Sequence, residues 1–358
     1  MSDSLKTTLY NHHDELGAKL VPFAGFLMPL QYTGIIDEHK HVRSKVGLFD
    51  VSHMGEFIVS GDNAKKFLQN VTINDIELLK PGKAQYSAFC NESGGILDDL
   101  LIYDLSDHYM LVVNASNIQK NFNWLQNRLF DNVVLKDVSN DMGLLAIQGP
   151  MARDILKDFF PKIESLKYYE TLMPNSDGTI VARTGYSGEL GFEIYISNDK
   201  IIDLWNKLLI ASDFIRPVGL GCRDSLRLEM GYCLYGHELD ESINPIEAGL
   251  SWITKFDTGF IGSESLSNLK IEKKLVPLVL KDRAIPRANY KIFDDNDKEI
   301  GFISSGAMSP SLGYGIALAY IDMPYAKDLN SFNVKIRNNI FIMNKAKLPF
   351  YKDGTYLK

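Results

Sequence analysis

Two adjacent aspartates stand where aspartate is uncommon. The run Asn91-Glu92-Ser93-Gly94-Gly95-Ile96-Leu97-Asp98-Asp99-Leu100 turns on its glycine pair and then enters an apolar strand, a setting from which aspartate is depleted. Period-two alternation sends Asp98 and Asp99 to opposite faces, so only one of them can look into a given pocket. A carboxylate held at a strand end can stabilise a developing positive charge or manage a proton. A solvated turn or an Asx cap would use the same residues.

Three further runs carry chemistry. Arg183-Thr184-Gly185-Tyr186-Ser187-Gly188-Glu189-Leu190-Gly191-Phe192-Glu193 places glycines every third position, which lets backbone approach a ligand closely. Tyr186 offers a ring face, and Glu193 offers two acceptors that suit a ring with adjacent N–H donors, such as an aminopyrimidine. A glycine-rich hairpin is the plainer reading of that run. In Gly219-Leu220-Gly221-Cys222-Arg223-Asp224-Ser225-Leu226-Arg227, the two arginines lie one helical turn apart. A guanidinium near a helix start can take an anionic or carbonyl ligand; an ion pair with Asp or Glu is the simpler expectation for Arg227. His53, in Asp50-Val51-Ser52-His53-Met54-Gly55-Glu56, is either a general base or a polar group at a domain junction.

Other chemistries lack their markers. No P-loop is present, and Gly219-Leu220-Gly221 lacks the third glycine of a dinucleotide fingerprint, so no nucleotide or flavin site is expected. His12-His13 and Glu38-His39-x-His41 match no zinc signature and read as surface or capping residues, so no metal is expected. There is no G-x-S-x-G elbow. Cys90, Cys222 and Cys233 form no C-x-x-C pair and read as reduced thiols. A net charge of −7 without a basic tract argues against nucleic acid as a partner. No apolar run is long enough to span a membrane, and Met1-Ser2-Asp3-Ser4-Leu5-Lys6 resembles neither a signal nor a transit peptide. The expected compartment is cytoplasmic.

These groups need a frame. With 358 residues, 45% hydrophobic and 23% charged, the chain is long enough for two or three globular domains. Residues 100–103 and 109–113 read as a hairpin turned at Ser106-Asp107-His108. Ile118, Phe122, Leu125 and Leu129 mark one helix face, with Asn114 or Ser116 as its cap. Residues 142–148 form a strand ended by Gly149-Pro150, with a helix over 151–160. Strands at 180–183 and 192–196 flank the glycine-rich turn, and Ile201, Ile202, Trp205, Leu208 and Leu209 line an amphipathic helix. Residues 262–275 read as a linker or exposed helix. Beyond Leu275, short strands punctuated by Gly, Pro and Asn-Asp turns predict an all-β barrel or sandwich.

In sum, the chain resembles the glycine cleavage T-protein family. The resemblance rests on Phe23-Ala24-Gly25-Phe26-x-Met28-Pro29, Phe49 through Glu56, Gly94 through Leu100, Arg183 through Glu193, Gly219-Leu220-Gly221-x-Arg223-Asp224, Asn244-Pro245-x-Glu247-x-Gly249-Leu250, and Ser305-Gly306 through Ser309-Pro310-x-Leu312-Gly313, in the family's order. It runs from about Leu9 to the C-terminus. It implies an α+β fold, a three-domain cloverleaf around a central folate site with an all-β, barrel-like C-terminal domain. The implied division is a discontinuous α+β domain of 1–50 and 140–260, an inserted α+β domain of 51–139, and a β domain of 275–358. Asp99 falls on the family's catalytic aspartate, Glu193 on its pterin-binding glutamate and Arg223 on its folate-contacting arginine. Met54, Tyr86, Asn114 and Tyr186 match pocket positions, and Tyr356 matches a C-terminal residue that reaches the folate. Phe26 stands where the family often has Trp, and Ala307-Met308 is unusually apolar for its loop.

The activity so implied is that of a folate-dependent aminomethyltransferase of the glycine cleavage system. A one-carbon unit passes from the aminomethyl-dihydrolipoyl arm of the H-protein to tetrahydrofolate, giving 5,10-methylenetetrahydrofolate and ammonia. Tetrahydrofolate is the co-substrate and the lipoylated H-protein a transient partner; neither nucleic acid nor membrane is expected as one. Two alternatives share the fold: a folate-dependent demethylase acting on a small methyl donor, and a non-catalytic folate-binding protein.

Overall fold

The computed structural model describes residues 4–173, 177–337 and 339–358. Met1, Ser2 and Asp3, which entered the N-terminal reading above, lie outside the described residues.

A six-stranded sheet runs in the order Thr171–Leu172, Ile180–Ala182, Gly191–Ser197, Met142–Gln148, Val46–Asp50, Ile215–Pro217. Its central strand, Met142–Gln148, is almost continuously apolar because it is covered on both faces. Leu145 and Ile147 pack with Trp205 of the helix Asn198–Ala211, while Leu144 and Ala146 pack with Phe49, Tyr103 and Leu226. Gly191–Ser197 follows the same alternation: Phe192, Ile194 and Ile196 face the helix, so Glu193 and Tyr195 face the opposite side.

A second sheet, ordered Lys83–Cys90, Ile96–Asp104, Tyr109–Val113, Gly55–Ser60, Val134–Asp137, packs against that opposite side. Leu100 and Ile102 enter its own core with Phe57, Phe89 and Leu111, while Leu101 and Tyr103 face the first sheet. Asp98 therefore shares a face with Leu100, and Asp99 shares one with Leu101 and Tyr103. Leu100–Asp104 pairs with Tyr109–Val113 in the expected hairpin register. Strands from Lys273–Leu280 to Asn339–Lys345 close a six-stranded barrel around Leu278, Ile303, Ala319 and Met343. This decides between the barrel and the sandwich.

Local expectations needed four corrections. The helix after Gly149-Pro150 covers only Ala152–Leu156, and Pro161 keeps Phe160, the last residue of the expected range, out of helical geometry. The helix Ile118–Gln126 is preceded by Asn117, which makes no side-chain cap, and Asn114 is drawn instead to the two aspartates. Residues 262–275 hold the expected short helix, Ser263–Ser267, but the first barrel strand already begins within them, at Lys273. His13, His39 and His41 are buried rather than surface groups. His13 is buried between Asp50 and Tyr32, each at 2.8 Å, and His39 between Ser225 at 2.8 Å and Ser311 at 2.9 Å. Polar neighbours from other elements satisfy both ring nitrogens of each, which makes such burial tolerable.

Candidate active site

A cavity of about 740 Å³ opens where the two sheets meet the barrel. The inserted sheet supplies Tyr86 and Asp99 to its wall. The first sheet and its loops supply Tyr168, Tyr169, Tyr186 and Tyr232, and the barrel and tail supply Leu318, Leu348 and Tyr356. Trp252 lies nearly parallel to Tyr86 at 21°, and Tyr186 to Tyr232 at 25°, so the wall presents flat faces.

Asp99 accepts hydrogen bonds from the Tyr86 hydroxyl at 2.8 Å and the Asn114 side-chain amide at 2.9 Å. The same amide reaches Asp98 at 2.8 Å. Burial pushes the Asp99 carboxyl above the usual carboxylate range, and the bonds from Tyr86 and Asn114 hold it back.

Glu193 is buried and accepts the Thr184 hydroxyl at 2.6 Å through Oε2. Tyr103 stands 3.3 Å from that hydroxyl and 2.9 Å from the Tyr195 hydroxyl, so a buried hydroxyl chain leads to Glu193. Its Oε1 has no hydrogen bond among the described residues. Burial raises its pKa, with Arg223 and Thr184 opposing. Arg223 lies with its guanidinium 4.7 Å from the Tyr186 ring centroid. Arg227, one turn on, faces elsewhere: it is buried and donates to Glu238 at 2.7 Å, Asp224 at 2.8 Å and Ser305 at 2.9 Å.

Of the residues singled out in the sequence, Asp99, Tyr86, Tyr186 and Tyr356 line the cavity. Asn114 joins through Asp99. Glu193 and Arg223 are not in the wall itself: Arg223 lies against Tyr186, which is, and Glu193 holds Thr184, the neighbour of wall residue Gly185. Met54 is not brought to the wall; it packs against the cluster of Phe49, Val51 and Tyr103. His53 is buried with Phe23 and Phe26 set edge-on at 5.6 and 6.4 Å. Burial pushes its pKa down to about 4 and Arg223 adds to this, while Asp50 opposes, so the ring is neutral at physiological pH. Sequence reasoning missed Asn74, Tyr168, Tyr169, Tyr232, Cys233 and Trp252. The available signals were the Tyr168-Tyr169 pair and a tryptophan beside Gly249-Leu250. Tyr169 also holds φ at +67°, strained for an aromatic residue, as backbone at functional sites often is. Among the described residues, no group of three or more His, Cys, Asp or Glu could hold a metal ion.

An aromatic cavity built by three β-rich units, with one hydrogen-bonded carboxylate in its wall, defines a site that can grip a flat ring and transfer a group beside it. The family model described as the GCVT N-terminal domain matches residues 9–258, and that of the glycine cleavage T-protein C-terminal barrel domain matches residues 273–352. An aminomethyltransferase of Flavobacterium psychrophilum is 46% identical over 97% of this chain and 99% of its own length. One of Chloroherpeton thalassium is 49% identical over 96% and 98%. The crystal structure of glycine cleavage system aminomethyltransferase T from Bartonella henselae superposes with a TM-score of 0.94 at 34% identity, covering 99% of this chain and 100% of that one. The chain belongs to the glycine cleavage T-protein family.

Proposed function

We propose that the cavity is where a one-carbon unit passes from the aminomethylated lipoyl arm of the H-protein to tetrahydrofolate. The chain is an aminomethyltransferase, as its family membership gives. Its site residues, co-substrate and carrier are our reading, and the observation that carries it is the placement of Asp99 in the wall of an aromatic cavity backed by Glu193 and Arg223. The residues fit a pterin. Glu193 retains a free carboxylate oxygen for ring N–H donors, and Tyr86, Trp252, Tyr186 and Tyr232 offer stacking faces. Arg223 and the C-terminal Tyr356 complete the grip, with Asn114 steadying Asp99.

The carbon–sulfur and carbon–nitrogen bonds of the aminomethyl donor break while two carbon–nitrogen bonds to the folate form, so that the carbon bridges two folate nitrogens. Sulfur leaves as the thiol and the amine as ammonia, and the protons they need come from the two folate N–H groups. As carbon–sulfur cleavage proceeds, the carbon acquires iminium character. Asp99, ionised and desolvated, stabilises that charge and takes a proton from a folate nitrogen. Tyr86 and Asn114 fix its orientation. Alignment of the two substrates supplies much of the remaining acceleration.

The division into 1–50 with 140–260, 51–139 and 275–358 is likewise proposed, supported by the two sheets and the barrel. We place the protein in the cytoplasm. Three free cysteines suit a reducing compartment, and among the described residues no helix is long and apolar enough to cross a membrane. The test is an assay with tetrahydrofolate and aminomethylated H-protein. Release of one ammonia per methylenetetrahydrofolate supports the reading; methyl transfer from a small donor, or folate binding without turnover, would replace it.

A further inference from the structure

We propose that Glu189 is a latch: it holds the C-terminal segment 351–358 as a strap across the glycine-rich loop, and through that strap it places Tyr356 in the cavity wall. Glu189 is thus a positioning residue for the co-substrate, and the inference rests on the role given above to Tyr356. Beyond the barrel strand Asn339–Lys345 the chain continues in irregular form. Phe350 is its last buried side chain, and every residue from Tyr351 to Lys358 is half-buried or exposed. A terminal segment with neither a strand ladder nor an apolar anchor frays unless something ties it down. Yet Tyr356 stands in the cavity wall, edge-on to Tyr168 with centroids 5.4 Å apart.

The ties converge on one buried carboxylate. Glu189 Oε1 accepts from Arg43 at 2.9 Å, in an ion pair with both side chains nearly covered. Among the described residues, its Oε2 takes donors from the strap alone: the Thr355 backbone N–H at 3.2 Å and the Thr355 hydroxyl. That hydroxyl also accepts the Leu190 N–H at 2.8 Å, so Thr355 is gripped from two sides. Lifting the strap would strip Oε2 of its protein donors, which is costly for a carboxylate the fold has already buried. Backbone contacts extend the seam. Tyr356 N–H donates to the Gly188 carbonyl at 3.3 Å, and the buried Arg183 donates to the carbonyls of Tyr356 and Lys358, each at 2.9 Å. A Cβ at Gly354 would come 2.4 Å from the Gly188 carbonyl oxygen, so only glycine lets the strap lie this close. Arg43 also stacks on the Tyr351 ring, 4.1 Å from its centroid. The loop that carries the latch also carries Tyr186, so Glu189 sets one wall residue against another without being a lining residue itself.

The test pairs tetrahydrofolate affinity with amide hydrogen exchange of residues 351–358. Thr355→Val removes the hydroxyl that Glu189 holds; it should weaken binding about 10-fold and speed exchange of the strap amides about 10-fold. Glu189→Gln should do the same, and Thr355→Ser, which keeps the hydroxyl, should match wild type in both measurements. Tyr356→Ala should weaken binding about 10-fold or more, and adding Thr355→Val to it should cost less than about two-fold further, because the latch acts through Tyr356. Wild-type affinity or unchanged exchange in Thr355→Val, failure of Thr355→Ser to restore both, or full additivity in the double variant overturns the proposal. Wild-type affinity in Tyr356→Ala would instead remove Tyr356 from the folate site; the latch then stands or falls on the exchange rates alone.

Discussion

The Tyr86 hydroxyl donates to Asp99 Oδ2 at 2.8 Å, from a ring whose face lies against Trp252 with centroids 6.3 Å apart. One side chain thus fixes the carboxylate and builds the stacking wall. Tyr86→Phe keeps the wall and removes the donor. A hydrogen bond to a charged group contributes about 1.5–3 kcal/mol, so kcat/KM should fall roughly 10- to 100-fold near neutrality. Losing a bond that favours the ionised form also moves the acid limb to higher pH. A pH profile of the variant checks both effects.

Glu193→Gln replaces one acceptor oxygen with an amide and removes the charge that the proposed function sets against the pterin. Calorimetric titration with tetrahydrofolate should show about 10- to 100-fold weaker binding. Thr184→Val removes only the 2.6 Å donor to Glu193 and should weaken binding less, by about 0.5–1.5 kcal/mol.

Arg223 and Arg227 share a helix face in the sequence but separate in the structure. Arg223→Ala should fold with a near-normal melting temperature and lose folate affinity. Arg227→Ala strands Glu238, whose side chain has no exposure, and should cost about 3–5 kcal/mol of stability. Thermal denaturation beside folate titration separates the two outcomes.

Glu229 gives the fold an acid-sensitive clasp. Burial alone would raise its pKa, but His39, Arg43 and Ser309 outweigh it and hold the carboxyl down to about 2. The depressed value means that the stabilisation is fully present above the unfolded pKa of about 4.3 and is lost as pH falls toward 2. Melting temperatures across that window should decline in wild type. Glu229→Gln should be less stable at pH 7 and decline less steeply.

Much of the frame was legible because burial leaves periodic traces. The apolar run 142–148 matches its strand residue for residue, and period-two alternation anticipated that Asp98 and Asp99 part to opposite faces. The histidines were misread because His13 and His39 are covered by residues remote in sequence, such as Asp50 and Ser311. Tyr168, Tyr232 and Trp252 escaped notice because loops carry them, and loops have no period to betray a shared wall. Met54 shows the converse: its motif is plain, yet its side chain stops short of the cavity.

The most direct test of the central claim is single-turnover kinetics of Asp99→Asn with aminomethylated H-protein, alongside tetrahydrofolate binding by the same preparation. The account predicts normal folding, near-normal folate affinity and a loss of about 10²-fold or more in the rate of methylenetetrahydrofolate formation. Near-normal turnover in that variant would contradict it.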